Sequence, residues 1–98
     1  MANQVIVATE ASNGMVYTLD VGDVVRIELE EGGFVGYYYR VNEEPDPAVI
    51  NFTDEGATYT GSLAKRVFTA EAIAAGTTSV VLERSPDGLI YTLTFQVS

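Results

Sequence analysis

The residues that most often carry out chemistry in proteins are scarce in this chain. Its 98 residues include fourteen carboxylates and five basic side chains, but neither histidine nor cysteine. The chain therefore has no thiolate, few of the usual zinc ligands and no imidazole base. A serine or threonine nucleophile would need Lys65 or a carboxylate of raised pKa as its base, and the spacing indicates no such pair. Acids at turn tips stay hydrated and ionised, which disfavours a carboxylate pair for hydrolysis. We predict that the protein is not an enzyme.

Two oxygen-rich segments could in principle bind calcium. DVGD (20–23) and TDEG (53–56) supply carboxylates and carbonyls, but neither has the spaced D-x-D-x-D-G pattern. Aspartate in such segments more often forms a turn by hydrogen bonding to its own backbone. The glycines Gly32, Gly33 and Gly36 are not followed by the basic residue and helix N-terminus that bind phosphate. We therefore predict no metal ion and no other cofactor.

The charge of the chain restricts the partners that it can bind. The formal net charge is -9, which repels the phosphates of nucleic acids and the anionic surfaces of membranes. Most of the acids lie near predicted strand ends, where solvated charge keeps edge strands from pairing with other chains. We predict a protein partner, and neither a nucleic acid nor a membrane.

The start of the chain bears on its location. The segment MANQVIVATEASNG lacks the basic and long apolar regions of a signal peptide. No apolar run approaches the length of about 18 residues that indicates a membrane span. These observations favour a cytoplasmic or virion-associated location, and they indicate no oligomeric state.

The dominant hydrophobic period is two residues, which is typical of half-buried β-strands. In DVVRIELE, the apolar residues Val25, Ile27 and Leu29 are predicted to share one face. In LIYTLTFQV, five apolar residues are predicted to face the core: Leu89, Tyr91, Leu93, Phe95 and Val97. The remaining predicted strands are QVIVATE, MVYTLD, VGYYYRV, AVINF, AKRVFTAEA and TSVVLER. The alanines of TAEAIAAG also allow a single helical turn.

Turn residues separate these segments. Asn13-Gly14 divides the first two strands, Pro45-Asp46-Pro47 predicts an extended crossover, and Ser85-Pro86-Asp87-Gly88 predicts a tight hairpin turn. Another turn is predicted at Asp54-Glu55-Gly56. Seven or eight short strands with such spacing are typical of an all-β, antiparallel, immunoglobulin-like β-sandwich. We predict one domain over residues 1–98.

The segment EEGGFVGYYYR (30–40) divides into a loop and a strand. Phe34 and Val35 lie between glycines that permit unusual backbone conformations, so an apolar loop tip could project toward a partner. The alternative is that Phe34 folds back and covers the end of the core. In the following strand, Tyr39 is predicted to occupy the core position that tryptophan takes in immunoglobulin folds.

Three segments carry a resemblance to a known family: VGDVVRIELEEGGFVGYYY, AAGTTSVVLER and YTLTFQVS. From Gly14 to its C-terminus, the chain resembles the chagasin family of immunoglobulin-like inhibitors of papain-type cysteine peptidases. The first segment is similar to the family stretch in which VG(D/E) opens a strand, a loop follows and G-Y-x-W begins the next strand. Tyr39 here takes the place of the tryptophan. The resemblance implies a sandwich that inhibits peptidases through three loops at one end.

The three inhibitory loops map onto this sequence with several substitutions. The family loop N-P-T-T-G-[YF] corresponds to 32–37, where Phe34 and Val35 replace the threonine pair. The second loop, G-x-G-G, corresponds to 61–64 and keeps one glycine, and the third, R-P-[WF], corresponds to 84–86 without the aromatic residue. The resemblance thus implies these partner-binding residues: Gly33, Phe34, Val35, Gly36, Tyr37, Gly61, Ser62, Leu63, Arg84, Ser85 and Pro86.

Three functions from different classes are consistent with the sequence. The first is a reversible, non-covalent inhibitor of a papain-like cysteine peptidase. The second is a structural or accessory immunoglobulin-like module, such as a viral capsid decoration protein, which would contact its assembly through strand edges or through the segment MANQVIVATE. The third is an acidic decoy for a basic partner such as a nuclease, for which the net charge is the sole support.

Overall fold

The computed structural model describes residues 3–32, 36–60 and 63–98, which form two four-stranded β-sheets. The strands are β1 (Val5–Ala8), β2 (Val16–Leu19), β3 (Val24–Glu31), β4 (Tyr38–Glu43), β5 (Ile50–Thr60), β6 (Leu63–Ala72), β7 (Gly76–Ser85) and β8 (Ile90–Val97). A short 3₁₀ turn, Glu10–Ser12, joins β1 to β2. The predicted all-β sandwich is confirmed. Within these residues, no helix is long and apolar enough to cross a membrane.

The chain begins by running along one edge of each sheet. The first sheet has the strand order β1-β3-β6-β5, and the second has the order β2-β8-β7-β4. The β3–β6, β5–β6, β4–β7 and β7–β8 pairings are antiparallel, as predicted. The β1–β3 and β2–β8 pairings are parallel. A period of two residues identifies a strand and its buried face but carries no information about the direction of its neighbour.

The core lies between the facing sides of the two sheets. Val25, Ile27 and Leu29 of β3 are fully buried, as the alternation predicts. Four of the five residues predicted for the core face of β8 are also buried: Tyr91, Leu93, Phe95 and Val97. The prediction for Leu89 is wrong, because this residue precedes β8 in the hairpin turn and is 39% exposed.

Tyr39 takes the predicted core position in β4. Its side chain is buried, while its neighbour Tyr38 is exposed. The Tyr39 ring packs edge-on against Tyr91, with 6.4 Å between the ring centroids. The Tyr91 hydroxyl donates a hydrogen bond of 2.7 Å to the carbonyl of Thr9. This pair of tyrosines therefore joins two strands of the second sheet to the connection between β1 and β2.

One turn prediction is wrong, and one alternative left open by the sequence is decided. Asp54-Glu55-Gly56 is not a turn but a bulge within the long strand β5, where the register with β6 shifts. Gly56 has a φ of +85°, and its N–H donates to the Asp54 carboxylate at 2.9 Å, so turn-forming residues are used to bend a strand. The predicted strand AKRVFTAEA is present, since β6 continues to Ala72 and pairs with β5 there, and TAEAIAAG therefore forms no helical turn.

The segment DVGD joins the start of the chain to the start of β3. The Asp23 carboxylate is 3% exposed. It accepts the backbone N–H groups of Gln4 at 3.0 Å and Asp20 at 2.9 Å, and the side-chain amide of Asn3 at 3.3 Å. These hydrogen bonds hold the pKa of Asp23 below its ordinary value of 3.8, and the bond from the Gln4 N–H has the largest effect. The oxygen-rich segment thus has a structural role as a hydrogen-bond acceptor.

Candidate functional site

Three connections begin and end at the same end of the sandwich, which we call the loop end. These are loop 32–37 between β3 and β4, the connection between β5 and β6, and hairpin turn 86–89 between β7 and β8. In the first sheet, Glu31 at the end of β3 pairs with Ala64 of β6. In the second sheet, Tyr38 at the start of β4 pairs with Ser85 at the end of β7. The strand pairing therefore brings together the loops that the resemblance implicates.

A buried carboxylate joins the two sheets beneath loop 32–37. Glu31 is 3% exposed, and its Oε2 accepts the backbone N–H of Tyr39 at 2.8 Å. The same oxygen lies 3.2 Å from Nη1 of Arg66 in β6. Because Glu31 and Arg66 belong to the first sheet and Tyr39 to the second, these contacts fix the separation of the sheets where the loop begins.

Arg66 extends this network to β5. Its Nε donates to Asp54 Oδ1 at 2.9 Å, and its Nη2 contacts Asp54 Oδ2. The Arg66 guanidinium lowers the pKa of the Asp54 carboxyl group, and hydrogen bonding to the Asp54 carboxylate raises the pKa of Arg66. The Arg66 guanidinium also lies 5.1 Å from the centroid of the Phe68 ring. The strand bulge at Asp54 thus supplies one of the partners of a half-buried arginine.

Loop 32–37 is closed by hydrogen bonds at its base. The Gly32 N–H donates to the Tyr37 carbonyl at 2.6 Å, and the Gly36 N–H donates to the Gly32 carbonyl at 3.2 Å. Both glycines have positive φ angles, +63° and +68°, which other residues rarely adopt. The base of the loop is therefore narrow and specified by sequence. Three residues of the predicted site, Gly33, Phe34 and Val35, lie outside the described residues.

Arg84 contacts loop 32–37 from β7. Its guanidinium carbon lies 3.9 Å from the centroid of the Tyr37 ring. Along one edge of the Arg84 guanidinium group, Nε lies 3.1 Å from Asp87 Oδ1 and Nη2 lies 2.5 Å from Asp87 Oδ2. The Asp87 carboxylate raises the pKa of Arg84, and Arg84 lowers the pKa of Asp87. Burial raises the pKa of the Tyr39 hydroxyl, and nearby Arg84 opposes part of that change.

The other predicted site residues lie around this cluster or outside the described chain. Ser85 ends β7 and Pro86 begins the turn, and both are exposed. Leu63 is the first residue of β6. Gly61 and Ser62 lie outside the described residues. The described part of the predicted site is thus a half-buried aromatic ring, an engaged arginine and an exposed turn.

Sequence reasoning missed the residues that support the site. Glu31 falls on the same alternation as Val25, Ile27 and Leu29, so its inward direction was visible in the sequence. Its partners gave no local signal, because Arg66 is 35 residues away in the sequence and the Tyr39 N–H lies on the other side of loop 32–37. Among residues 3–32, 36–60 and 63–98, no three acidic side chains are placed to hold a metal ion. The arrangement is suited to presenting a shaped surface to another protein.

Comparison with known proteins supports this fold. No protein-family model and no curated protein sequence matches the chain. The cysteine protease inhibitor EhICP2 from Entamoeba histolytica aligns over 97% of this chain and 96% of its own, with a TM-score of 0.78 and 16% identity. Amebosin aligns over 100% of both chains, with a TM-score of 0.63 and 19% identity. PbICP-C, solved in complex with falcipain-2, aligns over 100% of this chain and 92% of its own, with a TM-score of 0.53 and 18% identity. The resemblance to immunoglobulin-like inhibitors of cysteine peptidases is thus confirmed at the level of the fold.

Proposed function

We propose that this protein is a reversible, non-covalent inhibitor of papain-type cysteine peptidases and that it binds them with its loop end. The observation that carries the proposal is the convergence of three connections at one end, above a braced base, in a fold shared with the inhibitor EhICP2 and with PbICP-C, which was solved in complex with falcipain-2. Fold alone does not determine function. The position of the loops within that fold is what favours inhibition.

In the proposed complex, loop 32–37 enters the active-site cleft of the peptidase. Phe34 and Val35 stand where the family has polar threonines, so this loop would exclude water from the catalytic thiolate by apolar contact rather than by hydrogen bonds. Residues 61–63 and 85–86 would contact the two sides of the cleft. The protein would act by occupying the cleft, and no bond in it would be cleaved.

The base of the loop explains how such contact could be tight. Ordering a flexible loop on binding costs free energy, and a loop that is already closed avoids part of that cost. Here the Gly32–Tyr37 hydrogen bond closes loop 32–37 and Glu31 fixes the strands below it. The inhibitor would therefore meet the peptidase with its central loop already shaped at the base.

Titration of papain with the purified protein tests the proposal. We expect inhibition of the hydrolysis of a fluorogenic peptide substrate at micromolar protein or below, recovery of activity on dilution, and an intact inhibitor mass afterwards. The absence of inhibition at micromolar concentrations of folded protein, against papain and a panel of related peptidases, would remove the proposal.

A pair of matched variants locates the contact. Replacing Phe34 and Val35 together with serine should raise the inhibition constant about tenfold or more, because apolar groups at the centre of an interface dominate its affinity. The control replaces Val5 and Val7 with serine. These valines are 67% and 53% exposed on β1, and β1 begins at the opposite end of the sandwich. Loss of affinity in the control alone would place the interface on the strand edge instead.

A further inference from the structure

The contacts of Arg84 suggest a role different from the one that its position in the sequence implies. The family motif R-P-[WF] places this arginine in a loop that touches the peptidase. In this structure its side chain is 19% exposed, one planar face lies over the Tyr37 ring, and two of its nitrogens are engaged by Asp87. We infer that Arg84 is a positioning residue that ties loop 32–37 to hairpin turn 86–89. The consequence for inhibition rests on the proposed function, but the tie itself does not.

The surroundings of Arg84 favour an internal role. The planar guanidinium matches a carboxylate edge-on and an aromatic ring face-on, and both matches are made within this chain. A peptidase would have to displace Asp87 or Tyr37 before it could pair with the same group. The Arg84 backbone is also occupied, since its N–H donates to the Leu89 carbonyl at 2.8 Å and its carbonyl accepts the Gly88 N–H at 2.7 Å.

The contact of Arg84 with Tyr37 also stabilises the base of loop 32–37, where Tyr37 is hydrogen bonded to Gly32. The Tyr37 carbonyl accepts the Gly32 N–H, so a contact that fixes the Tyr37 ring also fixes the hydrogen bond that closes loop 32–37. Gly36 precedes Tyr37 and has unusual conformational freedom. Without the Arg84 contact, the loop would sample more conformations before binding and would bind more slowly and more weakly.

The tie can be tested in the free protein by amide hydrogen exchange. We expect the Gly32 N–H to exchange about three- to tenfold faster in Arg84→Met, because its acceptor carbonyl is less firmly held. The Leu93 amide, in the middle of β8, reports global opening and corrects for any general loss of stability. Arg40→Met is the matched control, since Arg40 is also on the second sheet and pairs with Glu83 instead. If Arg84→Met does not fold, Tyr37→Leu removes the other half of the contact. Unchanged Gly32 exchange relative to Leu93 in either folded variant would overturn the inference.

Binding provides the second test. Arg84→Met and Tyr37→Leu should each raise the inhibition constant for papain about three- to tenfold, mainly through slower association. The double variant should be no weaker than the weaker single one, because both changes break one contact. Arg40→Met, the control of the exchange experiment, lies outside the proposed site and should match the original protein. Multiplying effects in the double variant would instead indicate that Arg84 touches the peptidase. If the original protein does not inhibit, the proposed function fails while the exchange result stands.

Discussion

The buried carboxylate of Glu31 offers the most specific test of how the loop end is built. Glu31→Ala removes the acceptor of the Tyr39 N–H and one of the two carboxylate partners of Arg66. Glu31→Gln keeps a carbonyl oxygen of nearly the same position but removes the charge. If the main function of Glu31 is to accept the buried N–H, the glutamine variant should retain most of the stability.

The expected loss of stability in Glu31→Ala can be estimated from the contacts of Glu31. Leaving a buried N–H without an acceptor costs about 1–3 kcal/mol. Arg66 keeps its contacts with Asp54 and is partly accessible to water. Loss of the Arg66–Glu31 ion pair therefore adds about 1 kcal/mol, rather than the larger cost of leaving a buried charge without any partner. We expect Glu31→Ala to lower the free energy of unfolding by about 3 kcal/mol, which corresponds to a fall of about 12–24 °C in Tm for a domain of this size. Glu31→Gln should cost about 1 kcal/mol.

Urea denaturation, monitored by circular dichroism, measures the free energy of unfolding of both variants. Glu30→Ala is the matched control, since Glu30 is the adjacent residue of β3, is exposed, and should change stability by about 0.5 kcal/mol or less. Equal losses in the alanine and glutamine variants would refute the assignment, because the charge of Glu31 would then matter more than its acceptor. A loss below about 1 kcal/mol in Glu31→Ala would show that water replaces the carboxylate without difficulty.

Three further predictions concern the rest of the sandwich. The pKa of Asp23 is lowered in the folded state, so its ionised form stabilises the fold above pH 3.8, and this contribution is lost as the pH falls through the lowered value. Asp23→Asn should therefore lower the urea midpoint by its full amount at pH 6. The difference in midpoint between the two proteins should shrink below pH 3.8. Gly56→Ala should cost about 1 kcal/mol because of the positive φ at the bulge, and Gly56→Asn should cost less in the same denaturation assay; equal costs would contradict this. Tyr91→Phe should lose about 1 kcal/mol with the hydrogen bond to Thr9, and an unchanged Tm would show that this bond contributes nothing net.

Local pattern was sufficient to predict much of the fold. The alternation in β3 and β8 identified the strands and their buried faces, because burial on one side of a sheet repeats every second residue. The turn signal at 85–88 was correct because its backbone conformation is determined by the residues within it. The error at Leu89 arose where the apolar alternation continued past the end of the strand into that turn.

What the sequence did not indicate depends on residues that are distant along the chain. The parallel pairings of β1 with β3 and of β2 with β8 follow from where the chain crosses between the sheets, and the bulge at Gly56 follows from how β5 lies against β6. In the candidate site, Arg84 and Tyr37 were both named from the sequence, but nothing in it indicated that the two contact each other. That contact joins β7 to loop 32–37, so no local window of sequence contains it.

The parallel edge strands also determine where the chain can be attached to something else. β1 begins beside the start of β3, and the Ser98 N–H after β8 donates to the carbonyl of Leu19 at the end of β2. Both the first and the last described residues therefore lie at the end of the sandwich away from loop 32–37. A label or solid support attached beside Asn3 or Ser98 would therefore lie at the other end of the strands from Glu31 and Tyr38. These two points of attachment are separated from the base of loop 32–37 by the length of the strands, so a protein immobilised there would keep that base away from the support.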